Sequence, residues 1–381
     1  MDTKVKLLND LLKISGNFNC ADCGVKDVTH ASYNIGVFLC QTCAGIHNLL
    51  GSHISKTKHL TLDHWELSQI NRLKDVGNTK AKLKYEARVP INWTRPTGSA
   101  RETLLLEHWI NAKYAREDFI QGKQPPPYTQ GLMEGHMYKR ARENSNYYPR
   151  KFVLDGKTLR YYVKETKSPK TIINLQHISL FINPVKMQDL GFPCMQIDHI
   201  VNGSTRHIFV YHKDAEIIWQ WYQSIMISKL SQHKSIDSSN EEPTNPQLQE
   251  GWLWKAGPVP TYTHRKRWFT LDNRKLMYHL DPFDAYPKGE IFLGDASSGG
   301  YKLQDRGFGE QSHGRCSFSL HTPYRTFILS SETEQDKLSW VNAIGEVLRR
   351  PLNQQDKELQ SVLVKKRSTA LNPLNNLLSR S

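Results

Sequence analysis

The sequence predicts a multidomain α+β protein. A helical domain built around four cysteines is followed by two small seven-stranded β-barrels, each closed by a C-terminal helix. Two observations predict this arrangement: two Cys-x2-Cys pairs near the N-terminus, and two later segments that repeat one another. The chain has 381 residues, which is enough for two or three domains.

Four cysteines near the N-terminus have the spacing of a zinc site, and they are Cys20, Cys23, Cys40 and Cys43. Two such pairs can supply four thiolates to one tetrahedral Zn²⁺ ion at ~2.3 Å. A complete set of four thiolates leaves no position for water or substrate, so the ion is expected to be structural. Disulfides are not favoured, because the N-terminal stretch lacks the apolar core of a signal peptide. The isolated Cys194 and Cys316 are expected to be buried thiols.

The composition predicts an anionic partner. Lysine and arginine total 51 against 37 acidic residues, which gives a formal net charge of +14. Such an excess favours nucleic acid, anionic lipid head groups or an acidic protein. No run of about 18 apolar residues occurs, so the sequence predicts no membrane-spanning helix.

Breaks in composition divide the chain. Two stretches read as linkers, the Pro-rich 121–131 and the polar 231–247. The first domain is expected to be helical, since Leu7, Leu8, Leu11 and Leu12 have helical spacing. The predicted divisions are a zinc domain at 1–122, a first barrel at 131–231, a second barrel at 249–351, and a loose, disordered basic tail at 352–381.

The two barrel segments repeat one another at an offset of 116 to 117 residues. In each, alternating apolar and polar residues predict a series of short strands, and a helical pattern containing a tryptophan follows. The matched pairs are Lys139 with Lys255, Arg150 with Arg267, Phe152 with Phe269, Tyr161 with Tyr278, and Trp221 with Trp340.

Each segment carries a cluster of cations on its first hairpin. Several cations on one concave face beside a tyrosine suit a polyphosphate group, because Arg offers paired donors and Lys a compact charge. The alternative is that these are solvated side chains that protect sheet edges. Nucleic acid is not expected as the ligand, because the sequence shows neither a basic recognition helix nor an aromatic RNA platform. The clustered cations are Lys139, Arg140, Arg142, Arg150 and Lys151, then Lys255, Arg265, Lys266 and Arg267.

The run from Cys20 to Trp65 resembles the zinc finger of Arf GTPase-activating proteins, over about residues 5–120. Each repeated segment resembles a pleckstrin homology (PH) domain. The order of the three resembles the Arf GTPase-activating proteins with dual PH domains, the centaurin-alpha group. This resemblance implies a GTP-loaded Arf-family protein as partner, phosphatidylinositol bis- and trisphosphates as ligands, and a cytoplasmic protein recruited peripherally to the plasma membrane.

One position departs from the family pattern. Members of this family accelerate GTP hydrolysis with an arginine that follows a Gly-Ile-His sequence, and here Asn48 stands in that place. An arginine finger contributes ~10³ to 10⁵ in rate, and asparagine has no charge to replace it. Lys56 and Lys58 follow, but a point charge substitutes poorly for a guanidinium. By resemblance the chain is a GTPase activator with its arginine finger replaced by Asn48, and it is not expected to be an enzyme in its own right. Two functions stay open, a GTPase activator and a catalytically weak or inactive adaptor.

The resemblance also assigns lipid-contact residues. PH domains that bind phosphoinositides use the first-strand lysine, the second-strand arginine and the third-strand tyrosine, with further cations beside them. Tyr148 stands where the second segment has Arg265, so the first site is expected to be weaker. The assigned residues are Lys139, Arg142, Arg150, Tyr161 and Lys170 in the first segment, and Lys255, Arg265, Arg267, Tyr278 and Lys288 in the second.

Four residues of the zinc domain are expected to have structural roles. His47 is surplus beside four thiolates and is expected to pack or form hydrogen bonds. Gly36 is expected to permit a tight turn before the second cysteine pair. By resemblance, Asp63 and Trp65 are capping and packing residues.

Overall fold

The computed structural model describes residues 3–90, 93, 95–96, 103–163, 168–176, 178–233, 249–256, 264–298, 300–308 and 314–363. The chain divides into two compact units. The first comprises Met1–His136, Lys151–Ile172 and His212–Ser238, and the second comprises Met137–Arg150, Ile173–Tyr211 and Ser239–Ser381. The division passes through the first repeated segment.

The N-terminal part of the first unit is mainly helical, as predicted. Its helices are α1 (Thr3–Leu12), α2 (Gln41–Leu49), α3 (Leu67–Asp75), α4 (Gly77–Tyr85) and α5 (Thr103–Ile110), which continues as a π-helical turn at Asn111–Ala115. A three-stranded antiparallel sheet in the order β2-β1-β3 accompanies them, with strands β1 (His30–Ser32), β2 (Val37–Leu39) and β3 (Thr57–His59).

A small apolar core joins these elements. Leu8 of α1 packs with Phe38, Trp65, Ile70 and Leu73, all of them buried. Burial of this kind contributes roughly 1.5–3 kcal/mol for each large apolar side chain. The predicted leucine stripe is confirmed at Leu8 and Leu11 but is wrong at Leu7, which is 41% exposed.

The first repeated segment forms a seven-stranded sheet in the order β7-β6-β5-β4-β10-β9-β8, and helix α6 follows it. The bounds are β4 (Leu132–Arg140), β5 (Tyr147–Asp155), β6 (Thr158–Tyr162), β7 (Thr171–Asn174), β8 (Ser179–Ile182), β9 (Cys194–Val201), β10 (Ser204–Tyr211) and α6 (Ala215–His233).

The second repeated segment lies wholly within the second unit and has the same topology, in the order β14-β13-β12-β11-β17-β16-β15. Trp340 and Ile344 of its helix pack against Phe269 and Phe318 in one buried cluster, so the helix closes the sheet as predicted. The bounds are β11 (Gln249–Lys255), β12 (Arg265–Asp272), β13 (Lys275–His279), β14 (Gly289–Phe292), β15 (Lys302–Phe308), β16 (Cys316–His321), β17 (Thr326–Ser331) and α7 (Glu334–Arg349).

A further helix, α8, spans residues 354–363. The prediction of a loose tail is therefore wrong over this stretch, while residues 364–381 lie outside the described part. Leu359 and Leu363 pack against the buried Phe292, and Asp356 pairs with the buried Arg274 at 3.1 Å. Apolar burial and a buried ion pair thus order a segment whose composition alone suggested disorder.

Two other predictions concern single features. Cys194 and Cys316 are both buried, as predicted. Within the described ranges, no helix has the length and apolar character needed to cross a bilayer.

Candidate functional site

The four predicted zinc ligands come together in space. Their sulfur atoms all lie within 4.8 Å of one another, and Cys23 Sγ lies 3.6 Å from Cys40 Sγ. A tetrahedral Zn²⁺ with ~2.3 Å bonds requires sulfurs ~3.8 Å apart, so the arrangement fits this ion. The domain therefore holds one structural zinc.

The second cysteine pair is built into the start of α2. Cys40 is the N-cap residue of this helix, and its sulfur accepts a hydrogen bond from the backbone N–H of Cys43 at 3.5 Å. Backbone N–H groups at a helix N-terminus favour negative charge, which suits a thiolate ligand. The metal centre consequently fixes the start of α2, and the remainder of the helix follows from it.

His47 has the structural role that the sequence suggested. It is fully buried, with Nδ1 2.8 Å from Ser55 Oγ and Nε2 3.1 Å from Asp22 Oδ2. Lys113 Nζ also reaches the Asp22 carboxylate, at 2.9 Å. Burial by itself would raise the pKa of Asp22, but Lys113 and His47 hold it below its usual value. The sequence reasoning did not identify this network, because its members are far apart along the chain.

Gly36 and Trp65 take the expected roles, whereas the expected capping role of Asp63 is wrong, because Glu66 is the N-cap residue of α3. Gly36 has φ +94°, and a Cβ atom there would lie 2.6 Å from Val76 Cβ. Trp65 is buried, and its Nε1–H donates to the carbonyl of His59 at 3.0 Å. Asp63 accepts a hydrogen bond from the His59 backbone N–H at 2.6 Å. The hydrogen bonds of Trp65 and Asp63 to His59 fix the end of strand β3.

Asn48 lies exposed near the end of α2, and its Oδ1 accepts a hydrogen bond from Thr57 Oγ1 at 2.5 Å. The next residue, Leu49, is 78% exposed. Lys58 cannot readily stand in for an arginine, because its Nζ donates to the His64 carbonyl at 2.7 Å and to Gln69 Oε1 at 3.0 Å. The surface at the finger position is thus open, and the residue in it is uncharged.

The structure brings the predicted cations of the second repeated segment together. Lys255 pairs directly with Arg265 across strands β11 and β12, and Arg267 lies two residues further on the same face. Lys255 Nζ lies 5.1 Å from the centre of the Tyr278 ring. Lys288 is joined to the same strand, because its backbone N–H donates to the Tyr278 carbonyl at 2.8 Å.

Arg325, in the turn between β16 and β17, is a member of this cluster that the sequence reasoning missed. It lines a cavity of about 260 Å³ together with Tyr278 and Gly289. Burial lowers the pKa of Lys255, and the charges of Arg325, Arg267 and Arg265 lower it further. Strand pairing would have revealed Arg325, because β17 lies beside β11, but this pairing is not visible in the sequence.

The first repeated segment has its predicted residues on the matching strands. In the second unit, Arg150 NH1 donates to the Pro149 carbonyl at 2.8 Å, and its guanidinium lies 5.4 Å from the Tyr148 ring. Lys139 Nζ donates to the Arg140 carbonyl at 3.0 Å, and Arg142 lies exposed on the hairpin after β4.

Two more predicted residues of this segment, Tyr161 and Lys170, belong to the first unit. The Lys170 backbone N–H donates to the Tyr161 carbonyl at 2.9 Å, the same bond that joins Lys288 to Tyr278. Tyr161 is buried against Phe152, whereas Tyr278 is half-buried beside its cavity. The relative strength of the two sites stays a prediction.

Comparison with known proteins places these features in a family. The ArfGap family of GTPase activating proteins for Arf matches residues 5–123, and the PH domain family matches residues 247–349. The rat Arf-GAP with dual PH domain-containing protein 2 is 36% identical over 366 residues, which is 91% of this chain and 95% of that protein. The human protein of the same name is 34% identical over 91% of this chain and 93% of its own length.

A solved structure of the ArfGap domain of HIV-1 Rev binding protein is 19% identical, with a TM-score of 0.29 over 34% of this chain and 93% of that one. The zinc centre and the two repeated sheets, taken with the family matches, define an Arf-directed regulator linked to phosphoinositides. The chain belongs to the family of Arf-GAPs with dual PH domains.

Proposed function

We propose that this protein is a phosphoinositide-recruited partner of an Arf-family GTPase that accelerates GTP hydrolysis weakly or not at all. The observation that carries this proposal is Asn48, which is exposed at the position where the family has its arginine. An amide cannot neutralise the charge that develops on the transferred phosphoryl group, whereas a guanidinium can. The zinc-supported surface remains available for docking, so binding is retained and catalysis is reduced.

Single-turnover GTP hydrolysis by a GTP-loaded Arf protein tests this proposal. The native chain is expected to give little acceleration, and Asn48→Arg is expected to raise the rate by at least about 10³-fold. An arginine fits at this exposed position, where the Asn48 side chain accepts a hydrogen bond from Thr57. Asn48→Gln is the matched control, because it lengthens the side chain without adding charge.

The outcomes distinguish the two functions. Strong acceleration by the native chain would overturn the proposal and make the protein an ordinary GTPase activator. Binding of the Arf protein by the native chain without acceleration would establish an adaptor. The binding arm is measured by calorimetry with Arf held in its GTP state, so that loss of docking is not mistaken for loss of catalysis.

The two PH segments supply the membrane attachment in this proposal. Their head-group ligands are Lys139, Arg142, Arg150, Tyr161 and Lys170 in the first, and Lys255, Arg265, Arg267, Tyr278 and Lys288 in the second. Two sites on one chain make the second contact effectively intramolecular, which raises the overall affinity for a membrane. The domains are 1–122, 131–231 and 249–351, and the protein is cytoplasmic and is recruited to the inner face of the plasma membrane.

Sedimentation with vesicles tests the attachment. The double variant Arg150→Cys with Arg267→Cys is expected to lose most of its binding to vesicles that contain phosphatidylinositol trisphosphate. Each single variant is expected to retain part of it, because one site remains. Lys157→Cys with Lys357→Cys removes the same charge at exposed positions away from both clusters and serves as the control. Unchanged sedimentation of the double variant would contradict the residue assignment.

A further inference from the structure

We propose that Arg325 binds phosphate in the second PH segment and gives this site its preference for head groups with an additional phosphate. The proposal rests on the proposed function, since it concerns the same inositol phosphate ligand. It extends the site from the hairpin of β11 and β12 to the turn before β17, which lies on the opposite side of Lys255.

Strand pairing places Arg325 near Lys255 and Arg265, two of the predicted lipid-contact residues. Strand β11 has β12 as one neighbour and β17 as the other, and Lys255 pairs with Arg265 on β12 and with Leu329 on β17. Arg325 lies four residues before Leu329, on the same face of the sheet by period-two alternation. Lys255 is therefore flanked by cations from both neighbouring strands.

The turn that carries Arg325 is held in one conformation. The Thr322 hydroxyl donates to the Arg325 carbonyl at 2.8 Å, and the Arg325 backbone N–H donates to the same hydroxyl oxygen at 3.2 Å. The guanidinium lies over the Phe327 ring at 4.0 Å. A group fixed in advance loses less conformational entropy when it binds a ligand.

Among the described residues, the cations of this cluster form no ion pairs with their neighbours on the hairpin. Glu290 is the carboxylate that lines the cavity beside Arg325, and its Oε1 accepts a hydrogen bond from the Thr205 backbone N–H at 2.6 Å. In the described part of the chain, no carboxylate forms an ion pair with Lys255, Arg265 or Arg325, whereas Lys266 on the same hairpin pairs with Glu332 at 2.8 Å. Mutual repulsion between adjacent cations is relieved when a polyanion binds among them. The charge pattern therefore favours a ligand over a merely solvated edge.

The cavity provides the space for such a ligand. It measures about 260 Å³ and opens between Tyr278, Gly289 and the turn from Thr322 to Arg325. A Cβ atom at Gly289 would clash with the Tyr278 ring, so glycine lets the ring occupy this place. A head group that contacts Lys255 and Arg267 can thus present a further phosphate to Arg325 across the cavity.

The test uses the full chain carrying Arg150→Cys, so that binding reports on the second segment. Arg325→Gln is compared with Arg306→Gln, which removes the same charge from an exposed position on β15. Calorimetry uses inositol 1,3,4,5-tetrakisphosphate and inositol 1,4,5-trisphosphate, and sedimentation uses vesicles that contain the corresponding lipids. Thermal melting of each variant confirms that it is folded.

Arg325→Gln is expected to weaken binding of the tetrakisphosphate by about tenfold and of the trisphosphate by less than about threefold, the range of one charge-assisted hydrogen bond. Weaker binding both to the soluble head groups and to the vesicles supports the proposal with membrane lipid as the ligand. A loss with the soluble head groups alone supports it with the free inositol phosphate as the ligand.

Two results would overturn the proposal. If Arg325→Gln binds both head groups like Arg306→Gln while Arg267→Cys loses binding, Arg325 is not a ligand and the proposed function stands. If Arg267→Cys and Arg325→Gln both bind like the parent chain, the phosphoinositide site of this segment is also misassigned.

Discussion

His279 and His207 meet within the second unit, where their Nε2 atoms lie 3.0 Å apart. His279 Nδ1 lies 3.2 Å from the Trp268 carbonyl and must donate to it, so its Nε2 accepts from His207. His207 in turn faces Asp198 at 2.7 Å. Burial, then the charges of His207 and Lys186, lower the pKa of His279 to about 3, although Asp198 opposes this. A proton on His279 would place two donors face to face.

This arrangement predicts acid sensitivity. The ordinary pKa of histidine is 6.5, so between pH 6.5 and about 3 the unfolded chain binds a proton at His279 that the folded chain does not. Stability is therefore lost as the pH falls through this window, by up to ~1.4 kcal/mol per pH unit. In urea unfolding between pH 7 and 4, His279→Gln is expected to show a smaller loss than the native chain. His64→Gln, at an exposed position, is expected to lose as much stability as the native chain over this range. Equal slopes for all three would contradict this assignment.

At the scale of elements, helix α2 joins the metal centre to the finger position. The ligand Cys40 caps the start of this nine-residue helix, and Asn48 lies near its C-terminal end. The turn at Gly36 joins strand β1 to strand β2, which leads into this helix, and a Cβ atom at Gly36 would meet Val76 just before α4. The placement of Asn48 thus depends on zinc binding and on a turn that requires glycine.

Two glycines give a matched test of this dependence. Gly36→Ala is expected to destabilise the domain by ~1–3 kcal/mol, because it forces a Cβ into positive φ and against Val76. Gly45→Ala lies within α2 with nothing within 4 Å of the added Cβ, and it is expected to stabilise the helix by ~0.5–1 kcal/mol. Urea unfolding measures both. A neutral Gly36→Ala would show that the turn adapts.

Helix α8 is anchored to the second repeated segment by a buried ion pair between Asp356 and Arg274. Arg274 donates to Asp356 and to four backbone carbonyls, of Gly294, Val347, Arg350 and Pro351. Removal of the carboxylate leaves a buried guanidinium without a counter-charge, so Asp356→Ala is expected to cost ~3–5 kcal/mol. Lys357→Ala, exposed on the same helix, is the control. Equal melting temperatures would mean that the carbonyls alone satisfy Arg274.

At the scale of the whole molecule, the two units differ in what stabilises them. The zinc-finger part of the first unit has a small apolar core, and its four cysteines tie together a loop and a helix. The second repeated segment has a larger cluster formed by seven strands and α7. A small domain with few core residues depends on its metal, whereas a closed sheet with a helix across it does not.

Metal removal is therefore expected to act on one region. Structural zinc contributes ~10–16 kcal/mol in small modules, so a strong chelator should accelerate hydrogen exchange over 3–85. Exchange over 265–349 should stay unchanged, and added zinc should reverse the effect. Elemental analysis should find one zinc per chain, also in Cys194→Ser and Cys316→Ser. Unchanged exchange in the first region would contradict the four-cysteine centre.

Much of the fold could be predicted because its signals are local. The spacing of Cys20 and Cys23 from Cys40 and Cys43, the period-two alternation, and the repeat at a constant offset are all visible along the chain. The prediction of a loose tail was wrong for a physical reason. Helix α8 was missed because its stability comes from Phe292 and Arg274, which are distant in sequence, and not from its own composition.

The sequence by itself determined the four metal ligands, the two related sheets and the uncharged residue at the finger position, since each depends on residue type and spacing alone. The tertiary structure decided which cations share a face with Lys255, how Asp22, His47 and Lys113 satisfy one another, and that Arg325 belongs beside the hairpin. These depend on contacts between segments far apart in the chain, and only folding fixes which segments become neighbours.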